Sequence, residues 1–340
     1  MLYNLVIIGG GPAGLSAAIN GASELDNVLL IESGRKTRFT DGSVKYERVL
    51  GGQAIGSAAI ENYLGFPEGI TGAQLMSLAE KQASRLGTEI VCPKHAKSLE
   101  LLRDGTKLVR TKEGGEYRTK AVILANGLSY RKLDAPGIKE LLNRGVQYGA
   151  PTTNPHQMGK CTICVVGGAN SAGQAIMHLS QNEDAKVKVL IRGTKPIESQ
   201  MSKYLVDRVH AAPNVEVMQG FSVVEASGNG KLECLTLEDV QGTRSALKAD
   251  HLCIFIGAQP KVEWLSPEIV RDQRGFIGTD VALDTSHGPK LPQETSMSGV
   301  FAAGDILLGS TKRIAAGVGG GSSAVQSLHR YLAEAKLPCS

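Results

Sequence analysis

The stretch Leu5-Val-Ile-Ile-Gly9-Gly-Gly11-Pro12-Ala13-Gly14-Leu-Ser-Ala-Ala18 decides the fold. Four apolar residues, too few for a helix, run into a glycine turn, and an alanine-rich helical pattern begins at once. The order predicts a buried parallel strand, a tight turn and a helix start, the context that a dinucleotide fingerprint requires. In that fingerprint Gly9 makes the turn, Gly11 lets the backbone approach a pyrophosphate, and Gly14 lets the helix lie close to the strand. The free N–H groups and positive end of the helix then hold the phosphates. A second strand, Asn27-Val-Leu-Leu-Ile-Glu32, ends on a carboxylate at the spacing that grips a ribose hydroxyl.

The unit recurs. Cys161-Thr-Ile-Cys-Val-Val166 runs into Gly167-Gly-Ala169-Asn170-Ser171-Ala172 and a helical pattern, and Val187–Ile191 is its next strand. Repetition from Gly9 to Gly167 predicts two Rossmann-like domains in tandem. The second copy is degraded. Ala169 replaces the middle glycine, and its methyl crowds a pyrophosphate. After the second strand only Arg192, with Lys195 near it, is placed to meet a 2′-phosphate. Asn170 and Ser171 still suit a phosphate contact at a helix start. NADPH, NADH, a different nucleotide, a second flavin and an empty domain therefore all stay open here.

At 340 residues the chain has room for two cores. A net charge of +4 without a basic run argues against nucleic acid. The apolar runs are too short to cross a bilayer, and the first strand begins too near Met1 for a secretory signal, so a soluble cytoplasmic protein is expected. Six cysteines, Cys92, Cys161, Cys164, Cys234, Cys253 and Cys339, form no framework of a secreted scaffold. The polar stretch from Ser33 to Val49 reads as a solvated loop, or as a docking patch for an acidic partner or phosphate through Arg35, Lys36, Arg38, Lys45 and Arg48.

Next come Gly51-Gly52-Gln53, Ile60-Glu-Asn62-Tyr-Leu-Gly65-Phe-Pro67 and Ile70-Thr-Gly72. A glycine pair with Gln, then Glu-Asn-aromatic-x-Gly-Phe-Pro and a Thr-Gly helix start, resembles the low-molecular-weight thioredoxin reductase family of FAD-dependent oxidoreductases. The resemblance covers residues 1–335. It implies that Gln53 and Asn62 contact the flavin ring system, whose carbonyls and N–H need directional partners. It adds Gly52 and the turn Ala125-Asn126-Gly127 to the FAD site, with Asn126 where the family has Thr. It also implies that Asp305, after Gly304, binds the ribityl or pyrophosphate region. The final helix, entered through Arg313 and Ile314, would then aim its N-terminus at the flavin pyrimidine edge. A homodimer is implied as well.

The family's redox dithiol, Gly-Val-x-x-Cys-x-x-Cys, matches Gly145-Val146-Gln-Tyr148-Gly149-Ala-Pro-Thr152, so Gly149 and Thr152 stand at the cysteine positions and no catalytic residue is assigned. Neither can form a thiolate. Cys161-Thr-Ile-Cys164 has the spelling of a dithiol but lies in a strand, where side chains alternate and the two α-carbons are about 10 Å apart, beyond disulfide reach. Cys92, Cys234 and Cys253 read as strand residues, and Cys339 as an exposed tail thiol. His156 is either a polar loop residue or a proton donor facing the flavin. Tyr148 either packs or covers the flavin face.

The expectation is thus an α/β protein of two Rossmann-like, three-layer domains. The FAD domain is discontinuous, residues 1–130 and 257–340, with an NAD(P)-binding-like domain, 131–256, inserted. The segment Leu133-Asp-Ala-Pro136-Gly137 reads as a hinge or crossing strand. The expected activity passes electrons between FAD and a nucleotide or protein carrier without a dithiol. A ferredoxin–NADP reductase-like enzyme with an acidic ferredoxin-like partner, and a non-catalytic flavin-binding sensor, are the alternatives. No metal site is expected.

Overall fold

The computed structural model describes residues 1–38, 44–57, 60, 62–149, 155–283 and 290–335. The chain divides into two compact units, Met1–Ser129 with Gln259–Ser340, and Tyr130–Ala258. The first unit opens with β1 (Leu2–Ile8), α1 (Pro12–Glu24), β2 (Val28–Ile31), β3 (Arg35–Arg38) and β4 (Val44–Glu47). It continues through α2 (Gly72–Arg85), β5 (Glu89–Val91), β6 (Ala96–Leu101), β7 (Lys107–Thr111) and β8 (Glu116–Leu124) to a crossing strand, β9 (Leu128–Tyr130). The second unit holds β10 (Val146–Tyr148), β11 (Thr162–Val166), α3 (Asn170–Leu179), β12 (Lys186–Ile191), α4 (Lys203–Ala211) and β13 (Val215–Gln219). After these come β14 (Ser222–Ser227), β15 (Cys234–Glu238), β16 (Arg244–Lys248) and β17 (His251–Ile254). The chain returns through β18 (Ala258–Pro260) and completes the first unit with β19 (Val300–Ala302) and α5 (Ile314–Glu334).

The sheet of the first unit has the order β5-β2-β1-β8-β7-β6, with β19 also on β8. Strands β5, β2, β1, β8 and β19 run parallel, while β6 and β7 add an antiparallel meander. From Leu5 to Ile8 strand β1 is apolar without interruption because both of its faces are covered there. Leu5 and Ile7 face α1, α2 and α5 through Leu15, Leu75 and Leu328, whereas Val6 and Ile8 face Val109, Leu265 and Ile306. Each fully buried aliphatic side chain of this kind contributes about 1.5–3 kcal/mol. Helix α2 starts on a capping box: Gln74 N–H donates to Thr71 Oγ1 and Thr71 N–H to Gln74 Oε1, each at 3.2 Å.

The second unit repeats the plan with a five-stranded parallel sheet, β10-β17-β11-β12-β13. Helices α3 and α4 cover one face, and the antiparallel sheet β14-β15-β16 covers the other. Strand β16, with the exposed pattern Arg-Ser-Ala-Leu-Lys, has no apolar signal and was not anticipated.

Two expectations are corrected. The stretch read as a plain loop after Glu32 contains an antiparallel ribbon, β3 against β4, with Arg35 opposite Glu47 and Thr37 opposite Lys45. Its cross-strand pairs, rather than a buried face, make it a ribbon, so apolar periodicity was silent. The segment 133–137 is no hinge. Ala226 N–H donates to Pro136 O at 2.9 Å, and a Cβ on Gly137 would lie 1.7 Å from Ala226 O, so the segment is packed against β14 of the second unit. The crossing strand is β9, paired with β18.

Candidate functional site

The site of the first unit is assembled at the carboxyl ends of β1, β2 and β8. Gly9 N–H donates to Ile31 O and Ala125 N–H to Ile8 O, both at 2.8 Å, so three strand ends are tied at one turn. Gly9 has φ +106°, and a Cβ there would meet Ala125 O at 2.5 Å. A Cβ on Gly14 would lie 1.8 Å from Gly9 O. Both glycines are demanded by the chain itself.

Gly11 is different. Its φ of −78° suits any residue, and among the described residues nothing lies within 4 Å of the gap its Cβ would occupy. Gly52, φ +53°, packs against the same turn, and its Cβ would approach Gly11 Cα at 3.4 Å. A glycine that the protein does not need leaves room for something that is not protein. Helix α1 starts here with Gly11 as N-cap, no side-chain cap, and Pro12 in its first turn. Its first-turn end is the positive, donor-rich end of the helix.

Glu32 borders the gap. Its Oε2 accepts from Gly10 N–H at 2.6 Å, and its Oε1 from Gly34 N–H at 2.9 Å and Ser33 Oγ at 2.8 Å. The carboxylate expected to grip a ribose is therefore already oriented by backbone, with lone pairs to spare. Ala13 is a packing residue: its Cβ meets Gly304 (2.9 Å from a Cβ there), and its carbonyl lies under Gly321 of α5. Gln53 donates from Nε2 to Leu128 O at 2.9 Å, while Asn62 is exposed. Ala125 is buried against the Gly9 turn, and Gly127 takes φ +58°. Beside that turn, Asn126 donates to Lys261 O at 3.0 Å, but its Oδ1 is buried with no hydrogen-bond partner. Gln293 Oε1 is a second orphan; its carboxamide lies against Gly320, and no motif pointed to it. Asp305 follows Gly304 (φ +80°). Burial pushes its carboxyl above the usual range, against the Lys312 charge and a Ser310 hydrogen bond. Arg313 is the exposed N-cap of α5 and Ile314 its first residue; no side chain caps it.

In the second unit Gly167 (φ +135°) repeats the role of Gly9: its Cβ would meet Phe255 O at 2.5 Å, and its N–H donates to Leu190 O at 3.1 Å. Ala169 caps α3 in the open. Asn170 is partly committed elsewhere, because its Oδ1 accepts Ser202 N–H at 2.7 Å. Ser171 and Arg192 are exposed.

Cys161 and Cys164 lie on opposite faces of the second sheet, one under α3 and the other toward β14–β16. Burial raises both thiols, Cys164 and likewise Cys253 to about 12. Cys92, Cys161, Cys164, Cys234 and Cys253 are free thiols. Gly149 takes φ +97°, and its N–H donates to Ile254 O at 3.2 Å. Tyr148 packs: its Oη accepts Leu133 N–H at 2.8 Å. His156 sits in a short 3-10 turn, Pro155–Gln157. Thr152 and Cys339 lie outside the described residues. Among the described residues no cluster of metal-ligating side chains forms, and no helix is long and apolar enough to cross a membrane.

Residues 3–326 match the family model described as pyridine nucleotide-disulphide oxidoreductase. The chain belongs to that family. It is 32% identical over 336 residues to the thioredoxin reductase of Bacillus subtilis, covering 98% of this chain and 96% of the relative. A thioredoxin reductase of Streptomyces clavuligerus is also 32% identical, over 97% of this chain and 94% of its own. Among solved structures, the Lactococcus lactis thioredoxin reductase superposes with TM-score 0.71 at 28% identity, over 98% of this chain and 99% of that one. The family member described here is an FAD-dependent oxidoreductase, thioredoxin reductase-like in fold.

Proposed function

We propose that the first unit holds FAD over the Gly9–Gly14 turn, and that the enzyme passes electrons between FAD and a nucleotide or protein carrier without the family's dithiol. The observation that carries the reading is Gly149, a residue without a side chain in a left-handed conformation, at the first cysteine position. The one Cys-x-x-Cys spelling in the sequence, Cys161-Thr-Ile-Cys164, is divided between two cores.

FAD fits the residues present. The open space at Gly11 accepts a pyrophosphate, the α1 N-terminus donates to it, and Glu32 is oriented to accept ribose hydroxyls. The orphaned acceptor on Asn126, with Gln53, Asn62, Asp305 and the N-terminus of α5, would supply the remaining polar contacts. When bound, FAD supplies the redox chemistry that no side chain here provides. Asp305, whose carboxyl burial pushes above its ordinary range against the Lys312 charge, is suited to accept a hydrogen bond there.

The second unit supports a nicotinamide nucleotide at α3. Its second strand ends on Ile191-Arg192, with no carboxylate where β2 is followed by Glu32, and an arginine there favours a 2′-phosphate. NADPH is therefore the proposed donor, and a homodimer the proposed assembly. The test is anaerobic titration of the purified protein. Under this reading NADPH bleaches a bound yellow flavin, NADH does so less well, and no reduction of thioredoxin or of a small disulfide follows. NADPH-dependent disulfide reduction overturns it.

A further inference from the structure

Among the described residues the first unit leaves two side-chain oxygens buried without a hydrogen-bond partner, Asn126 Oδ1 and Gln293 Oε1. Both stand at the carboxyl ends of adjoining strands. Asn126 follows β8 by two positions, and Ala302 N–H, in β19, donates to Gln293 O at 3.0 Å. Strand β19 pairs with β8, Ala302 opposite Leu124, so the carboxyl end of the sheet runs β2, β1, β8, β19. Glu32 follows β2 and the Gly9 turn follows β1. Both orphaned oxygens therefore lie on the far side of β1 from Glu32.

The Asn126 carboxamide has a fixed orientation. Its Nδ2 donates to Lys261 O at 3.0 Å, and a carbonyl oxygen accepts only from the nitrogen end of an amide. Trp264 Nε1 donates to the same oxygen at 3.0 Å, so that carbonyl is held from two sides. The buried end of Asn126 is thus an acceptor in want of a donor. Asn126 also backs the glycine turn, since a Cβ on Gly9 would lie 2.7 Å from Asn126 Cα.

With a ribose on Glu32 and a pyrophosphate at the start of α1, the remainder of a dinucleotide extends from β1 over β8 and β19. A pyrophosphate offers acceptors only, so Asn126 Oδ1 takes nothing from it. On FAD the next group along that direction is the ribityl chain, whose hydroxyls donate.

We propose that Asn126 binds the flavin half of the cofactor: its Oδ1 accepts a hydrogen bond from a ribityl hydroxyl of FAD, and the bond from Nδ2 to the Lys261 carbonyl aims it there. This deepens the reading of the preceding subsection and rests on FAD occupying the first unit.

The test is equilibrium binding to the full-length protein stripped of flavin. One probe is FAD, read by its fluorescence. The other is ADP, which carries the adenosine and the pyrophosphate but no ribityl chain, read by competition. Asn126→Ala is expected to weaken FAD about 3- to 10-fold, the net worth of one hydrogen bond, and to leave ADP within about twofold of wild type. Trp264 still satisfies the Lys261 carbonyl in that variant, so no new buried orphan is created. Asn126→Val, which has the shape of threonine and no polar group, is expected to behave alike. Unchanged FAD affinity in both variants overturns the proposal. Equal weakening of FAD and ADP also overturns it, because Asn126 would then only support the Gly9 turn. So does ADP that fails to compete with FAD on wild type, since the dinucleotide would not lie as argued. Wild-type protein that takes up no FAD fails the reading of the preceding subsection instead, so the two failures are told apart.

Discussion

The ammonium of Lys107 donates to the phenol oxygen of Tyr331 at 2.7 Å, joining β7 to the last turns of α5. Lys107 is fully buried. It donates also to Lys120 O at 2.9 Å and lies 4.6 Å from the centre of the Tyr331 ring. Glu294, itself buried, faces the same cluster and accepts from Gly299 N–H at 3.0 Å and Leu291 N–H at 3.1 Å. A Cβ on Gly299 would lie 2.3 Å from Lys107 Nζ, so that glycine makes the room.

Tyr331→Phe leaves a buried ammonium short of one acceptor. The loss is expected to be about 1–3 kcal/mol of unfolding free energy, read as a lower urea midpoint at unchanged slope. A midpoint equal to wild type would mean that the contact contributes nothing net.

Burial lowers Lys107 from 10.5 to about 8, with Glu294 opposing. Between those values the unfolded chain holds a proton that the folded one has released, so stability rises with pH there. The buried Cys164 and Cys253 act in the opposite direction above pH 9, where their thiols titrate in the unfolded chain only. From pH 7 to 9 the Lys107 contribution is expected to grow by about 1 kcal/mol relative to Lys107→Met. Parallel stability curves for the two proteins over that range would refute it.

Gly14→Ala and Gly11→Ala separate packing from ligand binding. The first drives a methyl to 1.8 Å from Gly9 O, and a loss of at least about 3 kcal/mol with little soluble protein is expected. The second enters open space at an N-cap and costs about 1 kcal/mol or less, but it fills the proposed pyrophosphate cradle. Its expected signature is a folded protein with a sharply reduced flavin-to-protein ratio. Full flavin content in Gly11→Ala would remove FAD from this gap.

Cys161, Cys164 and Cys253 are buried, and their thiols are raised. In the native protein they are expected to resist Ellman's reagent at pH 8 and to react once urea is added. Cys161→Ser with Cys164→Ser is expected to keep NADPH-dependent bleaching of the flavin. Loss of bleaching in a folded double variant would restore a thiol route.

Much of the architecture was legible because apolar strands and glycine turns are local signals. Leu5–Ile8 and Cys161–Val166 announce two parallel sheets, and Thr71-Gly72 announces the start of α2. The ribbon β3–β4 and strand β16 were not legible, since neither buries a continuous apolar face. The segment 133–137 misled because Pro136-Gly137 carries the composition of a hinge, while its partner, Ala226, lies some ninety positions away in the sequence. In the candidate site, the roles of Gly9 and Gly14 follow from spacing. The freedom of Gly11, the backbone hold on Glu32 and the orphaned oxygens of Asn126 and Gln293 depend on what surrounds them, and no spacing shows that.

Ser16 on α1 donates to the Val318 carbonyl on α5, a contact closed between the first and the last helix of the chain. A ribosome delivers the whole inserted unit before it delivers β19 and α5. The body that begins first must therefore wait with its sheet incomplete and α1 uncovered, while the body that begins second already has every strand it needs. Vectorial synthesis inverts the order in which the two halves mature. The half proposed to carry the flavin finishes last, and cofactor capture becomes an event of the final stage of assembly.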